Sequence, residues 1–228
     1  LSNKTYYTYA SGGTFSQFSH EFQVVLDQGE DIIYVSEDAE KKGMRIAINK
    51  EIYEEGVTKC PETGGTSFRE EKGSEAANIF KLGTKFSEPF GLQYTDQEGK
   101  TFPMTMGCYG IGVSRLMGIM VEALADDDGM RWTENINPAD VHIVPIAKSE
   151  DDEAYKVAVA LYDRLVGEGK TAVFDDRFKA SVGAKLADAD LIGCPKRIVI
   201  SPKTLDAEGA ELKDRITGEV KMVAIDSL

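Results

Sequence analysis

The pattern of hydrophobic and polar residues along the chain changes at about residue 137. In the first stretch, apolar-rich runs at Glu21–Leu26 and Asp31–Val35 predict short strands. The segments 91–95 and 100–104 flank a turn that contains glycine, a pattern that predicts a β-hairpin. From Val113 to Leu124, apolar residues recur at helical spacing and predict one amphipathic helix.

The second stretch alternates strands and helices. Apolar runs at Val141–Ile146, Thr171–Phe174 and Arg197–Ile200 predict strands, and helices are predicted between them. The turn-rich segment around Pro138 marks a boundary. We therefore predict an α+β protein with two domains, residues 1–137 and 138–228, the second a small α/β domain with a mixed sheet.

Composition narrows the function classes. The chain has 228 residues, of which 42% are hydrophobic, so a core can form without disulfides. It has no apolar run long enough to span a membrane and no secretory signal, and its three cysteines are scattered, which fits a reducing cytoplasm. The net charge of −13 argues against indiscriminate nucleic-acid binding. Between Arg177 and Lys203, however, six basic residues stand against two acidic ones, so either a local positive face or an ordinary mixed surface fits.

Two segments carry candidate chemistry. A predicted strand, Thr101–Met106, runs into the glycine-rich turn at Gly107–Arg115, which leads into the predicted helix. Free N–H groups at the start of this helix and the Arg115 guanidinium could therefore bind a phosphate. A structural tight turn with a surface arginine fits the same residues. Ser11–Phe22 combines two glycines, hydroxyl groups, His20 and aromatic residues, which suits a small pocket, although an ordinary loop entering a strand also fits.

The segment Gly107–Arg115 resembles motif 3 of class II aminoacyl-tRNA synthetases in the form found in bacterial prolyl-tRNA synthetases, and Asn78–Ser87 resembles the segment before it. The resemblance implies that Arg115 is catalytic and binds the γ-phosphate of ATP, with Gly110 and Gly112 also contacting ATP. It implies a fold in which a partial class II antiparallel-sheet catalytic domain precedes an anticodon-binding domain.

Ser11–Phe22 resembles the glycine turn and Ser-His-Glu-Phe strand of the same family. The resemblance implies that the glycine turn lines the adenylate site and that the strand, with two residues of motif 3, contacts proline. The residues that line the adenylate site are Gly12, Gly13 and Thr14. The residues that bind proline are Ser19, His20, Phe22, Cys108 and Gly110. The spacer between the turn and the strand is longer here than in the usual bacterial form.

The segment Asp175–Pro195 resembles the anticodon-binding domain shared by the prolyl, threonyl, histidyl and glycyl enzymes. By this analogy the residues that meet the tRNA anticodon are Asp176, Arg177, Lys179 and Lys185. A charged loop followed by a helix can meet unstacked bases and phosphates. Asp188 and Asp190 can equally cap or pair within the domain.

The resemblance implies a ligase that uses ATP, with Mg²⁺, to activate L-proline and transfers it to tRNA(Pro), as a cytoplasmic homodimer with no membrane partner. Motif 1, the arginine of motif 2 and a Thr-x-Glu loop are not found in the chain, so we expect it to supply only part of the active site. We expect no editing domain, and no metal site at Cys60, since Thr63 stands where related sequences have a second cysteine. Another synthetase of the same subclass, or a non-catalytic tRNA-binding paralogue, remains as an alternative.

Overall fold

The computed structural model describes residues 1–228 and divides by internal contacts into two units, Leu1–Ala123 and Leu124–Leu228. Each unit has its own β-sheet and its own hydrophobic clusters. None of its helices is both long and apolar enough to cross a membrane.

The first unit is built mainly from strands. Its elements are β1 (Thr5–Ser11), β2 (Phe18–Val25), β3 (Asp31–Ser36), α1 (Glu37–Glu40), β4 (Ile46–Asn49), α2 (Lys50–Glu54), β5 (Phe68–Gly83), β6 (Gln93–Thr95), β7 (Thr101–Pro103), β8 (Met106–Ile111) and α3 (Val113–Leu124). The predicted strands at β2 and β3, the hairpin β6–β7 and the helix α3 are all present.

The main sheet of this unit has the order β2-β1-β4-β3-β5-β8, and β2 also pairs with β5, so that five strands close on themselves. Every pairing is antiparallel except that of β1 with β4. Apolar residues with no solvent exposure, among them Ile33, Val35 and Ile48, fill the clusters on the faces of these strands. The long strand β5 contacts β3, β2 and β8 in turn, and it thereby joins the glycine-rich strand to the rest of the unit.

The glycine-rich segment after residue 106 differs from the prediction. We predicted a strand over Thr101–Met106 that runs into a glycine turn, but Thr101–Pro103 belongs to a separate hairpin, and Gly107 and Gly110 lie in strand β8. A Cβ at Gly110 would approach the side-chain oxygen Oδ1 of Asn78 to 2.8 Å, and the Asn78 side chain would have to move. The close approach of this side chain therefore accounts for a glycine that looked like a turn signal.

The second unit contains β9 (Val141–Pro145), α4 (Glu153–Gly167), β10 (Ala172–Phe174), α5 (Val182–Ile192), β11 (Lys196–Ile200), α6 (Pro202–Asp206), β12 (Ala210–Asp214), β13 (Val220–Val223) and a final 3₁₀ turn (Ile225–Ser227). Its sheet has the order β10-β9-β11-β12-β13, with the first three strands parallel and the last two antiparallel, so the predicted mixed sheet is confirmed. Ile143 packs with α4 and Val144 with α5, so the two helices cover opposite faces of β9.

Contacts assign the segment 124–137 to the second unit, whereas we predicted a domain boundary at 137/138. Arg215 donates two hydrogen bonds to Asp126, at 2.8 and 2.6 Å, and Trp132 Nε1 donates to the carbonyl of Ile192 at 3.0 Å. These partners lie 60 to 89 residues away along the chain. Turn residues in the sequence cannot reveal such long-range pairings. The boundary was predicted at 137/138 because the turn residues lie around Pro138.

Candidate functional site

In the first unit, Arg115 lies in the first turn of α3, as predicted, and two glutamates hold its guanidinium. Its Nη1 donates to the carbonyl of Glu75 at 3.0 Å and lies 3.4 Å from the Glu75 carboxylate, and its Nε lies 3.3 Å from the carboxylate of Glu30. About half of the Arg115 side chain remains exposed. Neither glutamate could be singled out from the sequence, because Glu75 lies on β5 and Glu30 in the loop before β3.

Strand β8 brings its glycines beside this cluster. Gly110 pairs with Asn78 on β5, and Asn78 Nδ2 donates to the Glu75 carboxylate at 2.8 Å. The backbone N–H of Gly112 is already used, since it donates to the carbonyl of Ala76 at 3.1 Å. The exposed Cys108 lies on the same strand, two residues before Gly110. The glycine backbone of β8, one arginine and two carboxylates therefore lie in one region. Such groups can bind an anion together with a divalent cation.

The residues of β2 that are predicted to bind proline lie on two different faces of the strand. His20 and Phe22 lie on one face, where the His20 ring stacks on Tyr7 with centroids 4.7 Å apart and Phe22 meets the edge of the same tyrosine at 5.8 Å. Ser19 points to the other face, and its hydroxyl donates to the carbonyl of Ser11 at 2.7 Å. The structure therefore joins His20 with Phe22 and separates both from the Ser19 side chain.

His20 is a buried histidine in a mostly aromatic setting. Burial lowers the pKa of its imidazole, the positive charge of Lys81 lowers it further, and Glu62 opposes them. Its Nδ1 is buried without a hydrogen-bond partner. The strand register places His20 beside Ile79 of β5, and Ile79 beside Tyr109 of β8. The residues of β2 and β8 that are predicted to bind proline therefore lie in one sheet, with strand β5 between them.

The glycine turn is in contact with a cation, Lys85, that was not among the predicted site residues. Lys85 Nζ donates to Thr14 Oγ1 at 2.7 Å and lies 4.4 Å from the ring centre of Phe15. Gly13 has a φ of +56°, a backbone conformation that favours glycine. Lys85 belongs to the segment that resembles the one before motif 3, so the resemblance contained a signal that could have singled it out.

In the second unit, Arg177 is fixed between two carboxylates. Its Nε and Nη2 donate to Asp175 at 3.0 and 2.7 Å, and its Nη1 donates to Asp188 at 2.7 Å. Burial alone would raise the pKa of Asp175, but the hydrogen bonds from Arg177, together with the charge of Lys185, outweigh it and lower the pKa to about 2. Asp188, which could equally have been a capping residue, is therefore a partner of Arg177.

Lys185 does not lie at the surface where the analogy placed it. Its side chain is 4% exposed, and its Nζ donates to the carbonyls of Pro145 and Asp175, both at 3.0 Å. An ammonium held in this way cannot meet RNA without breaking buried hydrogen bonds, so Lys185 positions the loop at Asp175 instead. Asp176 and Lys179 are exposed, as an RNA contact requires.

A cavity of about 400 Å³ lies beside Arg177, between α5 and strands β9 and β10. Its lining includes Asp176, Arg177 and Asp188, together with His142, which was not among the predicted site residues. The signal for His142 was present, because it is the one polar side chain in the apolar run Val141–Ile146. No group of three or more histidine, cysteine, aspartate or glutamate side chains in the chain is arranged to hold a metal ion.

Comparison with known proteins gives matches to both units. Residues 140–228 match a family described as the anticodon binding domain. The chain is 43% identical over 157 residues to a proline–tRNA ligase of Syntrophomonas wolfei, covering 69% of the chain and 27% of that protein. A proline–tRNA ligase of Zymomonas mobilis is 32% identical over 234 residues, covering 95% of the chain and 52% of that protein. The chain thus spans about half, or less, of the length of these relatives.

Two solved structures share the fold. The prolyl-tRNA synthetase of Cryptosporidium parvum, complexed with halofuginone and AMPPNP, matches with a TM-score of 0.67 and 16% identity, covering 98% of this chain and 38% of that one. The prolyl-tRNA synthetase of Giardia lamblia, in complex with prolyl-adenylate, matches with a TM-score of 0.62 and 20% identity, covering 93% and 36%. At these identities the matches show a common fold.

Proposed function

This chain belongs to the prolyl-tRNA synthetase family, and we propose that it forms part of a proline–tRNA ligase. The enzyme would activate L-proline with ATP and transfer it to tRNA(Pro). The residues that bind ATP and proline would lie in the first unit, and those that bind the anticodon in the second. The observation that carries the proposal is Arg115, held by two carboxylates at the start of α3 beside the glycine-rich strand β8.

The first step is attack of the proline carboxylate on the α-phosphate of ATP, with release of pyrophosphate. Positioning and charge neutralisation drive such a step. Arg115 would bind the γ-phosphate, with Glu30 and Glu75 orienting its guanidinium before ATP arrives. Mg²⁺ usually binds through one or two carboxylates together with substrate phosphates, and these glutamates are the carboxylates beside Arg115. The Cryptosporidium relative, which is complexed with AMPPNP, supports the use of ATP.

The proline subsite would lie on the face of β2 that carries His20 and Phe22. This face is aromatic, since Tyr7 and Tyr9 both contact His20, and an apolar pyrrolidine ring fits such a surface. The Giardia relative, in complex with prolyl-adenylate, supports this class of ligand. Gly13 and Thr14 would face the adenylate, and the Lys85 ammonium beside Thr14 adds a positive charge there.

The second unit would bind the anticodon arm of tRNA(Pro). Arg177, Asp176 and Lys179 are available at its surface, and their backbone is fixed by the buried Lys185 and Asp175. The family match over residues 140–228 supports this role. We further expect the complete enzyme to be a cytoplasmic homodimer, as the family resemblance implies.

Proline-dependent exchange of pyrophosphate into ATP tests the proposal. The assay uses the complete enzyme, which includes this chain and the region that the relatives have in addition to it. Arg115→Ala should reduce exchange about 100-fold or more, because an electrostatic contact to the transition state is lost. Arg45→Ala removes an exposed arginine of the same unit and should leave exchange unchanged.

Each of the other outcomes points to a different account. Exchange that survives in the Arg115→Ala variant would contradict the assignment of motif 3. Exchange driven by threonine, histidine or glycine in place of proline would identify another synthetase of the same subclass. No exchange with any amino acid would identify a non-catalytic tRNA-binding paralogue.

A further inference from the structure

The loop from Cys60 to Gly65, in the first unit, has no part in the function described so far. It is tightly closed, because the N–H of Cys60 donates to the carbonyl of Gly65 and the N–H of Gly64 donates to the carbonyl of Cys60, both at 2.8 Å. Cys60 is 1% exposed and packs in the same hydrophobic cluster as Tyr9 on β1. The hydrogen bonds and the buried Cys60 therefore fix the loop against the first sheet.

This loop presents one carboxylate, that of Glu62, to the aromatic face of β1 and β2. The hydroxyl of Tyr9 donates a hydrogen bond to Glu62 Oε1, whereas Oε2 takes no part in that bond and the Glu62 side chain is exposed. Burial raises the pKa of the Tyr7 hydroxyl, and the negative charge of Glu62 raises it further. The same charge opposes the burial that lowers the pKa of His20. Glu62 is therefore within electrostatic reach of the rings that line the proposed proline subsite.

The rings beside Glu62 are accessible to a ligand. Tyr7 stacks on His20 and meets the edge of Phe22, and Phe22 remains 37% exposed while Tyr7 is half-buried. The faces of aromatic rings attract positive charge, and a carboxylate accepts charge-assisted hydrogen bonds. An organic cation with an apolar body fits this combination, whereas an anionic group would be repelled by Glu62.

Proline has such a cation, because its ring nitrogen is a secondary ammonium with two N–H donors. The apolar ring carbons can lie on Tyr7 and Phe22 while the nitrogen faces the free oxygen of Glu62. The carboxylate of proline would then point away from Glu62, since the two negative charges repel each other. This orientation leaves the proline carboxylate free to attack ATP.

We propose that Glu62 is a substrate-binding residue of the proline subsite and that its carboxylate binds the ring ammonium of proline. This assignment rests on the proposed function, because it assumes that the first unit activates proline. Tyr9 is then a positioning residue, since its hydroxyl holds the Glu62 carboxylate in place. The ring nitrogen takes no part in adenylate formation, so the contact should act on the KM for proline and leave kcat nearly unchanged.

The test is proline-dependent pyrophosphate exchange in the complete enzyme, with kcat and the KM values for proline and ATP measured separately. Glu62→Gln removes the charge but keeps an oxygen that can accept the hydrogen bond from Tyr9. We expect the KM for proline to rise about 10- to 100-fold, because a hydrogen bond to a charged group is lost. The KM for ATP should stay the same.

A second ligand separates a direct contact from a structural role. Tetrahydrofuran-2-carboxylate has a ring oxygen in place of the proline nitrogen, so it has no positive charge and no N–H donor at that position. Its inhibition constant against proline should not rise in the Glu62→Gln variant, because this ligand makes no such contact with Glu62. A change in the shape of the subsite would weaken both ligands alike.

Two further variants serve as controls. Glu55→Gln neutralises another exposed carboxylate, at the end of α2 in the same unit, and should leave the KM for proline unchanged. Tyr9→Phe keeps the aromatic ring but releases Glu62, so the KM for proline should rise by less than in Glu62→Gln. The urea midpoint of the Glu62→Gln variant should match that of the unchanged enzyme, since Glu62 is exposed.

An unchanged KM for proline in the Glu62→Gln variant would overturn the assignment. Equal weakening of proline and tetrahydrofuran-2-carboxylate would also overturn it, because Glu62 would then only shape the subsite. If the unchanged enzyme showed no exchange with proline, the proposed function would fail and this assignment with it. Exchange that requires proline but ignores Glu62 removes the assignment alone.

Discussion

The two units of the chain differ in how completely they bury their apolar residues. In the second unit, β9 and β11 are buried almost throughout, with α4 and α5 on opposite faces. In the first unit, the last strand of the sheet, β8, exposes Tyr109 by 77%, and the helix after it exposes Val113 to the same extent. Apolar side chains on these two neighbouring elements are therefore less completely packed than those of the second unit.

This difference bears on which activity each unit can perform in the chain as it stands. The second unit has a closed core and a cavity formed entirely by its own residues. The first unit has Arg115, His20 and their partners, but the relatives it matches are about twice as long as the chain or longer. We therefore expect RNA recognition to be measurable in the chain itself and amino-acid activation to require the rest of the enzyme.

The largest expected effect on the self-contained second unit comes from Lys185→Ala. The substitution leaves the buried carboxylate of Asp175 and two carbonyls without the ammonium that now binds them. Asp175 keeps its hydrogen bonds from Arg177, but each buried carbonyl left without a donor costs about 1–3 kcal/mol. We expect a loss of that size for each of the two carbonyls in the free energy of unfolding, measured by urea denaturation.

Lys179→Ala is the matched control for this change. Lys179 is exposed and lies six residues before Lys185, so its removal should change the free energy of unfolding by less than about 0.5 kcal/mol. If Lys185→Ala proved as harmless as Lys179→Ala and instead weakened RNA binding, Lys185 would be a surface contact, and the buried arrangement described for it would be wrong.

A smaller effect tests whether the segment 124–137 belongs to the second unit. Gly193 ends α5 with a φ of +74°, and a Cβ added there would come within 2.0 Å of the carbonyl oxygen of Met130. Gly193→Ala should therefore destabilise the unit by about 1–3 kcal/mol, through backbone strain and loss of the packing at Met130.

Gly167 at the end of α4 provides the comparison, because a Cβ there meets nothing within 4 Å. Gly167→Ala should be neutral or slightly stabilising, since alanine favours the helix. Limited proteolysis of the Gly193→Ala variant should then cut within 124–137 before it cuts elsewhere in the second unit. Equal stability of the two alanine variants would show that Met130 does not pack against Gly193.

Local sequence signals predicted much of the second unit. Ser181 caps α5 and Gly193 ends it in the left-handed conformation, so both ends were visible in the sequence. The run of strands β9, β10 and β11 was equally clear. Strand β12 and helix α6 were missed because each is only five residues long and carries little apolar pattern.

The first unit was harder to predict because its central strand is polar. Strand β5 runs over 16 residues with charged residues and two glycines, and it is a strand because β2, β3 and β8 pair with it. The same limit applies to the candidate sites. Resemblance singled out Arg115, but it could not reveal Glu30, Glu75 or the burial of Lys185, because all three depend on contacts between distant parts of the chain.

The most direct test of the central claim is the affinity of the unmodified chain for two RNA hairpins that differ only in their anticodon bases. One carries the anticodon of tRNA(Pro), and the other carries the anticodon of a tRNA for an amino acid outside this synthetase subclass. We predict binding at least about tenfold tighter to the proline anticodon, since each wrong base should cost on the order of 1–3 kcal/mol. Equal affinity for both hairpins, or binding to neither, would contradict the account.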